Sequence, residues 1–195
     1  MKSWNQISKP FKNKKASKGK LLIAEPFLND PYFKRSVVLL TEHNEKGSFG
    51  FILNKPVDLQ LTEAVDGLPD FDAALHLGGP VGRETMHFLH TLGKEIKGSI
   101  KIMDGLYWGG DFEQLKSLMN TKQIDTDQVK FFVGYAGWGD KQLDSELNRD
   151  DWIVIPGNLK YIMTSQPDDL WKNILQEKGS EYAILSNFPV DPSFN

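Results

Sequence analysis

Glu42-His43-Asn44 puts an acid, an imidazole and an amide side by side at the close of an apolar run, the residue types that general acid–base chemistry uses. Ahead of Glu45-Lys46-Gly47 the same trio serves equally as a solvated turn cap, the ordinary role of polar residues in that place. The hydroxyls such a pair would activate are Ser36, Ser48 and Thr85. None has an identifiable local base, and no Gly-x-Ser-x-Gly elbow surrounds them. A hydrolase or transferase built on Glu42 and His43 therefore needs distant residues to converge, and stands as an alternative reading.

A second group of residues has the chemistry of a ligand or partner surface. Gly134-Tyr135-Ala136-Gly137-Trp138-Gly139 reads as a glycine-rich passage from strand to helix, where free backbone amides hold an anion while Tyr135 and Trp138 wall a pocket. Its ordinary alternative is a tight turn packed on aromatics. Gly78-Gly79-Pro80-Val81-Gly82 and Asp104 to Asp111 are further corners of this kind. The candidate surface is then Glu42, His43, Asn44, Asn54, Gly78, Gly79, Tyr135, Gly137, Trp138 and Gln142.

Other templates fail. The phosphate-cradling Gly-x-x-x-x-Gly-Lys-Ser/Thr loop is absent, as is the dinucleotide fingerprint, whose spacing Gly134 to Gly139 reverses. His87 and His90 are three apart in a predicted strand and so face opposite ways, which argues against a shared metal. Cysteine is absent, which removes disulfides, thiolate nucleophiles and thiolate metal sites together. The reading expects no metal and no cofactor.

The 195 residues suit one domain, and 39% hydrophobic with 11% aromatic residues suffices for a sizeable core. Residues 1–20 hold seven lysines and no acid, which leaves 16 basic against 26 acidic residues over 21–195. That body, near −10, has only Arg35, Arg83 and Arg149 as guanidinium donors and is poorly suited to neutralising phosphates. Residues 1–18 read as a disordered lysine-rich arm capable of weak nucleic-acid contact, and 19–195 as the folded domain. No apolar run spans a bilayer and no signal peptide is evident, so a cytoplasmic location without membrane contact is expected.

The elements that must position these residues follow from pattern. Strands are predicted at Leu21–Ala24, Val37–Thr41, Phe49–Leu53, Ala74–Leu77, Met86–Thr91, Ser99–Met103, Val129–Tyr135 and Trp152–Ile155. Apolar spacing predicts helices over Asp111–Met119, Lys141–Arg149 and Asp168–Leu175, with one or two helical turns at Leu61–Val65. Strands and helices do not alternate, so the fold is α+β, not doubly wound.

The longer strings carry a resemblance. Gly19-Lys20-Leu21-Leu22-Ile23-Ala24-Glu25-Pro26, Arg35-Ser36-Val37-Val38-Leu39-Leu40, Glu42-His43-Asn44 and Gly50-Phe51-Ile52-Leu53-Asn54-Lys55-Pro56 open it. Gly78-Gly79-Pro80-Val81, Gly105-Leu106-Tyr107-Trp108-Gly109-Gly110, Gly134 to Gly139, Gln142-Leu143, Glu146-Leu147 and Trp152 continue it. Together they resemble the YqgE/AlgH family of bacterial proteins. The resemblance implies a mixed α+β fold with two β-sheets, a cytosolic location and a customary label of transcriptional regulator; about three main helices in a single compact domain follow from the pattern above. It brings no agreed activity or catalytic residues. The leading expectation is a non-enzymatic protein that binds a small molecule or another protein.

Overall fold

The computed structural model describes residues 15–65 and 67–188. The chain opens with β1 (Lys20–Ala24), β2 (Val37–Asn44) and β3 (Gly47–Ile52), then α1 (Leu61–Ala64), β4 (Leu75–Leu77) and β5 (Val81–His90). It continues through β6 (Ile100–Met103), β7 (Leu106–Trp108), α2 (Phe112–Asn120), β8 (Val129–Trp138) and α3 (Gln142–Asn148). It closes with β9 (Trp152–Pro156), α4 (Leu159–Ile162), α5 (Leu170–Glu177) and α6 (Ser180–Ser186).

The nine strands of the described residues form one sheet in the order β6-β7-β5-β8-β3-β2-β1-β9, with β4 added alongside β8 in parallel. The two sheets expected are not seen as separate sheets among the described residues. The join is β8: its last residues pair with β3, as in Gly137 with Phe49, while Val129–Val133 pairs with β5 and part of it with β4. A ten-residue strand can serve both halves because Gly134 takes φ +66°, a left-handed conformation open to glycine, and bends the strand there.

Leu21 to Ala24 and Val37 to Leu40 are continuous apolar runs because the sheet is covered on both faces. On one face Leu22, Val38, Leu40 and Val154 pack beneath Leu143 and Leu147 of α3. On the other, Leu21, Ile23, Leu39 and Phe51 meet Ile162 of α4 and Leu170, Trp171 and Ile174 of α5. A third cluster sets Leu115 and Met119 of α2 against Leu75, Phe88 and Phe131. Each such side chain contributes roughly 1.5–3 kcal/mol by leaving water.

Among the described residues there are six helices: α2, α3 and α5 lie where the three main ones are predicted, and α1 at the predicted turn. Asp111, predicted as the first residue of its helix, is instead the N-cap of α2 and accepts from the amides of Glu113 and Gln114. The additions beyond the predicted turn at α1 are α4, whose four residues are too few to show a period, and α6 (Ser180–Ser186). Leu106–Trp108, read as part of a glycine-rich corner, is the strand β7. Of the lysine arm, residues 1–14 lie outside the described residues; 15–18 are described, and Ala16 is buried in the α3-side core. At the other end of the described residues, the Phe188 ring meets Phe27 and its carbonyl accepts from Arg35. No helix among the described residues is long and apolar enough to cross a membrane.

Candidate functional site

The β2–β3 hairpin carries the predicted acid–base trio and divides it. Glu42 pairs across with Phe49, His43 with Ser48 and Asn44 with Gly47. Neighbours on a strand face opposite ways, so Glu42 and His43 lie on different faces of the sheet. Asn44 donates to Glu42 (2.6 Å) and accepts from the Lys46 amide (2.8 Å), which makes this end of the hairpin a capped, exposed turn. His43 instead meets a hydroxyl: its Nδ1 lies 2.8 Å from Ser48 Oγ. Sequence reasoning named both residues without pairing them; antiparallel register across the predicted hairpin is the signal that joins them. No carboxylate bonds the other nitrogen of His43 among the described residues, so the pair lacks the third, orienting member of a triad.

Asn54 belongs to the scaffold. It accepts from the Val37 amide (2.8 Å) and donates to the Arg35 carbonyl (2.9 Å), stitching β2 to the chain that leaves β3. Ser36 is fully buried and its hydroxyl has no partner.

Trp138 and Gln142 meet on the α3 face. The indole nitrogens of Trp138 and Trp152 both donate to Glu146 Oε2 at 2.8 Å, and Gln142 donates to Glu146 Oε1 (3.1 Å) while accepting from the Gly139 amide (3.1 Å). Phe33 stacks on Trp138 and stands edge-on to Trp152. One half-buried carboxylate thus satisfies two buried indoles, and the arrangement holds α3 against the sheet.

The expectation that Gly134 to Gly139 forms a strand-to-helix turn with free amides is corrected: Gly134 to Trp138 lies inside β8. The glycines allow backbones to touch. A Cβ on Gly79 would stand 2.1 Å from the Tyr135 carbonyl, and one on Gly78 would stand 2.2 Å from the Gly134 carbonyl oxygen. The Gly78 amide is already spent on Val133 (2.9 Å). Gly137 leaves room for the Tyr135 ring beside it.

Glu42, Asn44 and Trp138 line one shallow hollow with Ser48 and Phe49, and Tyr135 reaches a neighbouring aromatic surface. Its ring stacks on Phe49 at 4.5 Å, Phe49 lies 5.0 Å from Trp108, and His87 stands among Phe49, Phe51, Trp108 and Tyr135 at 5.3–6.2 Å. Burial against these rings holds the His87 pKa below its ordinary value, so the imidazole stays neutral near pH 7. Thr85 donates to the Gly82 carbonyl (2.6 Å), its only proton, so His87 Nε2 at 3.1 Å must be the donor to Thr85 and not its base. His90 stands on the opposite face, against Phe88 and Tyr107.

His87 and Trp108 also line a largely apolar hollow of about 470 Å³ with Met86, Ile100, Gly110 and Phe112, and Ile100 is 47% exposed. Sequence reasoning treated Trp108 as a corner residue and His87 as a rejected metal ligand. Their convergence depends on β7 pairing with β5, which the short Leu106–Trp108 run conceals.

Fold and surface together define an α+β protein whose glycine runs serve backbone packing and whose accessible rings gather on one face. The family model described as DUF179, AlgH-like, matches residues 21–183, and the chain belongs to this family. A UPF0301 protein of Cytophaga hutchinsonii is 44% identical over 180 residues, covering 92% of this chain and 99% of that protein. A UPF0301 protein of Chlorobaculum tepidum is 45% identical over 177 residues, 91% of this chain and 95% of its own. Among solved structures, the AlgH protein of Pseudomonas aeruginosa superposes with TM-score 0.70 at 26% identity, covering 88% of this chain and 93% of that one. A Corynebacterium diphtheriae protein shares the fold, with TM-score 0.73 at 23% identity over 89% and 93%.

Proposed function

We propose that this chain is a cytoplasmic binding protein that takes an apolar or aromatic group of its partner against Phe49, His87, Trp108 and Tyr135. The observation that supports this most directly is the half-buried ring cluster opening onto the 470 Å³ hollow. Rings with restricted rotamers offer large contact area at low entropic cost, and a concave, mostly apolar surface with one polar group is the usual form of a ligand site. The test is fragment screening of the full-length protein by ¹⁵N-resolved NMR with indole- and phenol-bearing compounds. Expected are shifts at Met86, His87 and Gly109, weakened at least tenfold by Trp108→Ala; binding that maps elsewhere, or is indifferent to that substitution, refutes it.

The 2.8 Å contact between His43 and Ser48 favours a second reading, acyl or phosphoryl transfer with Ser48 as nucleophile. A fluorophosphonate probe that labels wild type but not Ser48→Ala would replace the binding reading. A regulatory contact with nucleic acid belongs to the lysines of the first 20 residues and predicts weak, sequence-independent, salt-sensitive binding. Because Ala16 is buried, the deletion that tests it ends at Lys14 and removes four of those seven lysines; binding of undiminished strength and salt sensitivity without residues 1–14 refutes it.

A further inference from the structure

Lys130 and His76 sit together in the interior. Lys130 follows Val129 in β8 and is 5% exposed, and His76 in the parallel neighbour β4 is 4% exposed. His76 packs on the Phe132 ring, which shares the alternating face of β8 with Lys130, beneath α4. Both line a partly open hollow of about 240 Å³, together with Met163, Thr164 and Ser165. At roughly 30 Å³ per water, this is room for about eight waters, or a ligand of similar bulk.

The hydrogen bonding here is incomplete. Lys130 Nζ donates to the carbonyls of Ile162 and Thr164 at 3.3 and 3.4 Å, both long, and no carboxylate lies within 4.0 Å of it among the described residues. A buried ammonium without a counter-charge is expensive, and burial lowers the Lys130 pKa to about 8, which still leaves the charged form dominant at neutral pH. His76 Nδ1 lies 3.3 Å from the Phe131 carbonyl, which can only accept, so this nitrogen carries the proton. Burial first, then the Lys130 charge, lower the His76 pKa to about 4, against the opposing pull of the Phe131 and Ala74 carbonyls. The ring is neutral, and its buried Nε2 is a bare acceptor with no partner among the described residues.

The cavity thus offers a cation lacking an anion and an acceptor lacking a donor. Asp72 and Asp127 also line it, which disfavours multiply charged ligands. We propose that this cavity binds a small monoanionic hydroxycarboxylate, with the carboxylate on the Lys130 ammonium and the neighbouring hydroxyl donating to His76 Nε2.

Glycolate and acetate, matched in charge and differing by one hydroxyl, are the probes, titrated into the full-length protein and followed by NMR and calorimetry at pH 7. Wild type should prefer glycolate about tenfold, the effect of one hydrogen bond of about 1.4 kcal/mol. His76→Phe should reduce that preference to within twofold, and Lys130→Met should abolish binding of both. A readout free of substitution comes from the Nζ resonance of Lys130: bound glycolate should raise its pKa, since an adjacent anion favours the charged form. Equal affinity for acetate and glycolate, binding indifferent to Lys130→Met, or no saturation by tens of millimolar would overturn the assignment. So would a borohydride-trapped adduct of glyoxylate on Lys130, which would make the amine a covalent nucleophile instead.

Discussion

Replacing Glu146 with Ala removes the acceptor of two indole N–H groups at once. Trp138 and Trp152 are both buried, each donates to Glu146 Oε2 at 2.8 Å, and Phe33 packed on both rings leaves water little access to either nitrogen. A buried donor left unpaired costs about 1–3 kcal/mol, so two give roughly 2–6, less about 0.5 for the better helix propensity of Ala. A loss near 3 kcal/mol is expected, about 6–12 °C in Tm for a chain of this size. Glu146→Gln keeps one carbonyl oxygen for the indoles but sets its amide nitrogen against the donating Nε2 of Gln142, and should cost about 1 kcal/mol. Urea unfolding with linear extrapolation reads both losses, and the indole ¹⁵N–¹H resonances report the bonds directly. A loss below about 0.5 kcal/mol in Glu146→Ala, with unshifted indole resonances, would refute the view that this carboxylate anchors α3.

The remaining expectations concern the buried charge, the close glycines and the stitching amide. The folded-state pKa of Lys130, about 8, lies below the ordinary 10.5, so the unfolded chain binds more protons between those values and stability rises with pH across that window. At about 1.4 kcal/mol per pH unit the full difference is about 3 kcal/mol. Urea unfolding at pH 7 to 9.5 should show this rise in wild type and not in Lys130→Met, which should itself be about 1–2 kcal/mol more stable at pH 7. A parallel rise in the variant would place the effect on another group. Gly79→Ala, with a Cβ 2.1 Å from the Tyr135 carbonyl, should cost on the order of 4 kcal/mol, whereas Gly139→Ala, whose nearest neighbour is Gln142 Oε1 at 4.0 Å, should change stability by under about 0.5. Equal effects in a thermal melt would show that backbone contact does not select these glycines. Asn54→Ala strands the Val37 amide and the Arg35 carbonyl and should cost about 2–3 kcal/mol by urea unfolding; a neutral result would mean that water replaces the amide without loss.

Much of the fold is legible in the sequence because apolar runs such as Leu21–Ala24 and Val37–Leu40 are long and buried on both faces, and because Asp111 marks the start of α2. Less legible were elements of three and four residues, β7 and α4, whose positions come from tertiary contacts and not from any period. The glycine-rich stretches misled most. Gly78, Gly79 and Gly134 resemble ligand loops in sequence, yet their missing side chains are explained by carbonyls about 2–3 Å from where a Cβ would sit. Lys130 passed unnoticed inside an apolar strand, although a strand covered on both faces leaves a lysine no route to solvent.

The candidate site was hardest to read because two irregularities reset the alternation on which facing depends. In β2 the register shifts between Leu40 and Glu42, so Leu39 and Glu42, three apart, fall on one face, and His43 turns to the other beside Ser48. In β8 the shift is at Gly134, where Val81 pairs with Tyr135 and Met86 with Val133, leaving residues 82–85 to loop out opposite a single residue. Phe132 and Tyr135 therefore both join the core beneath α4 and α5, while Val133 packs toward α2 and Trp138 toward α3. A strict period of two carried through β8 from Phe132 would have put Tyr135 on the opposite face, away from Phe49 and His87, and Trp138 on the face of Phe132. One glycine with φ +66° thus decides which aromatics can share a surface, and the sequence names the glycine without stating that φ.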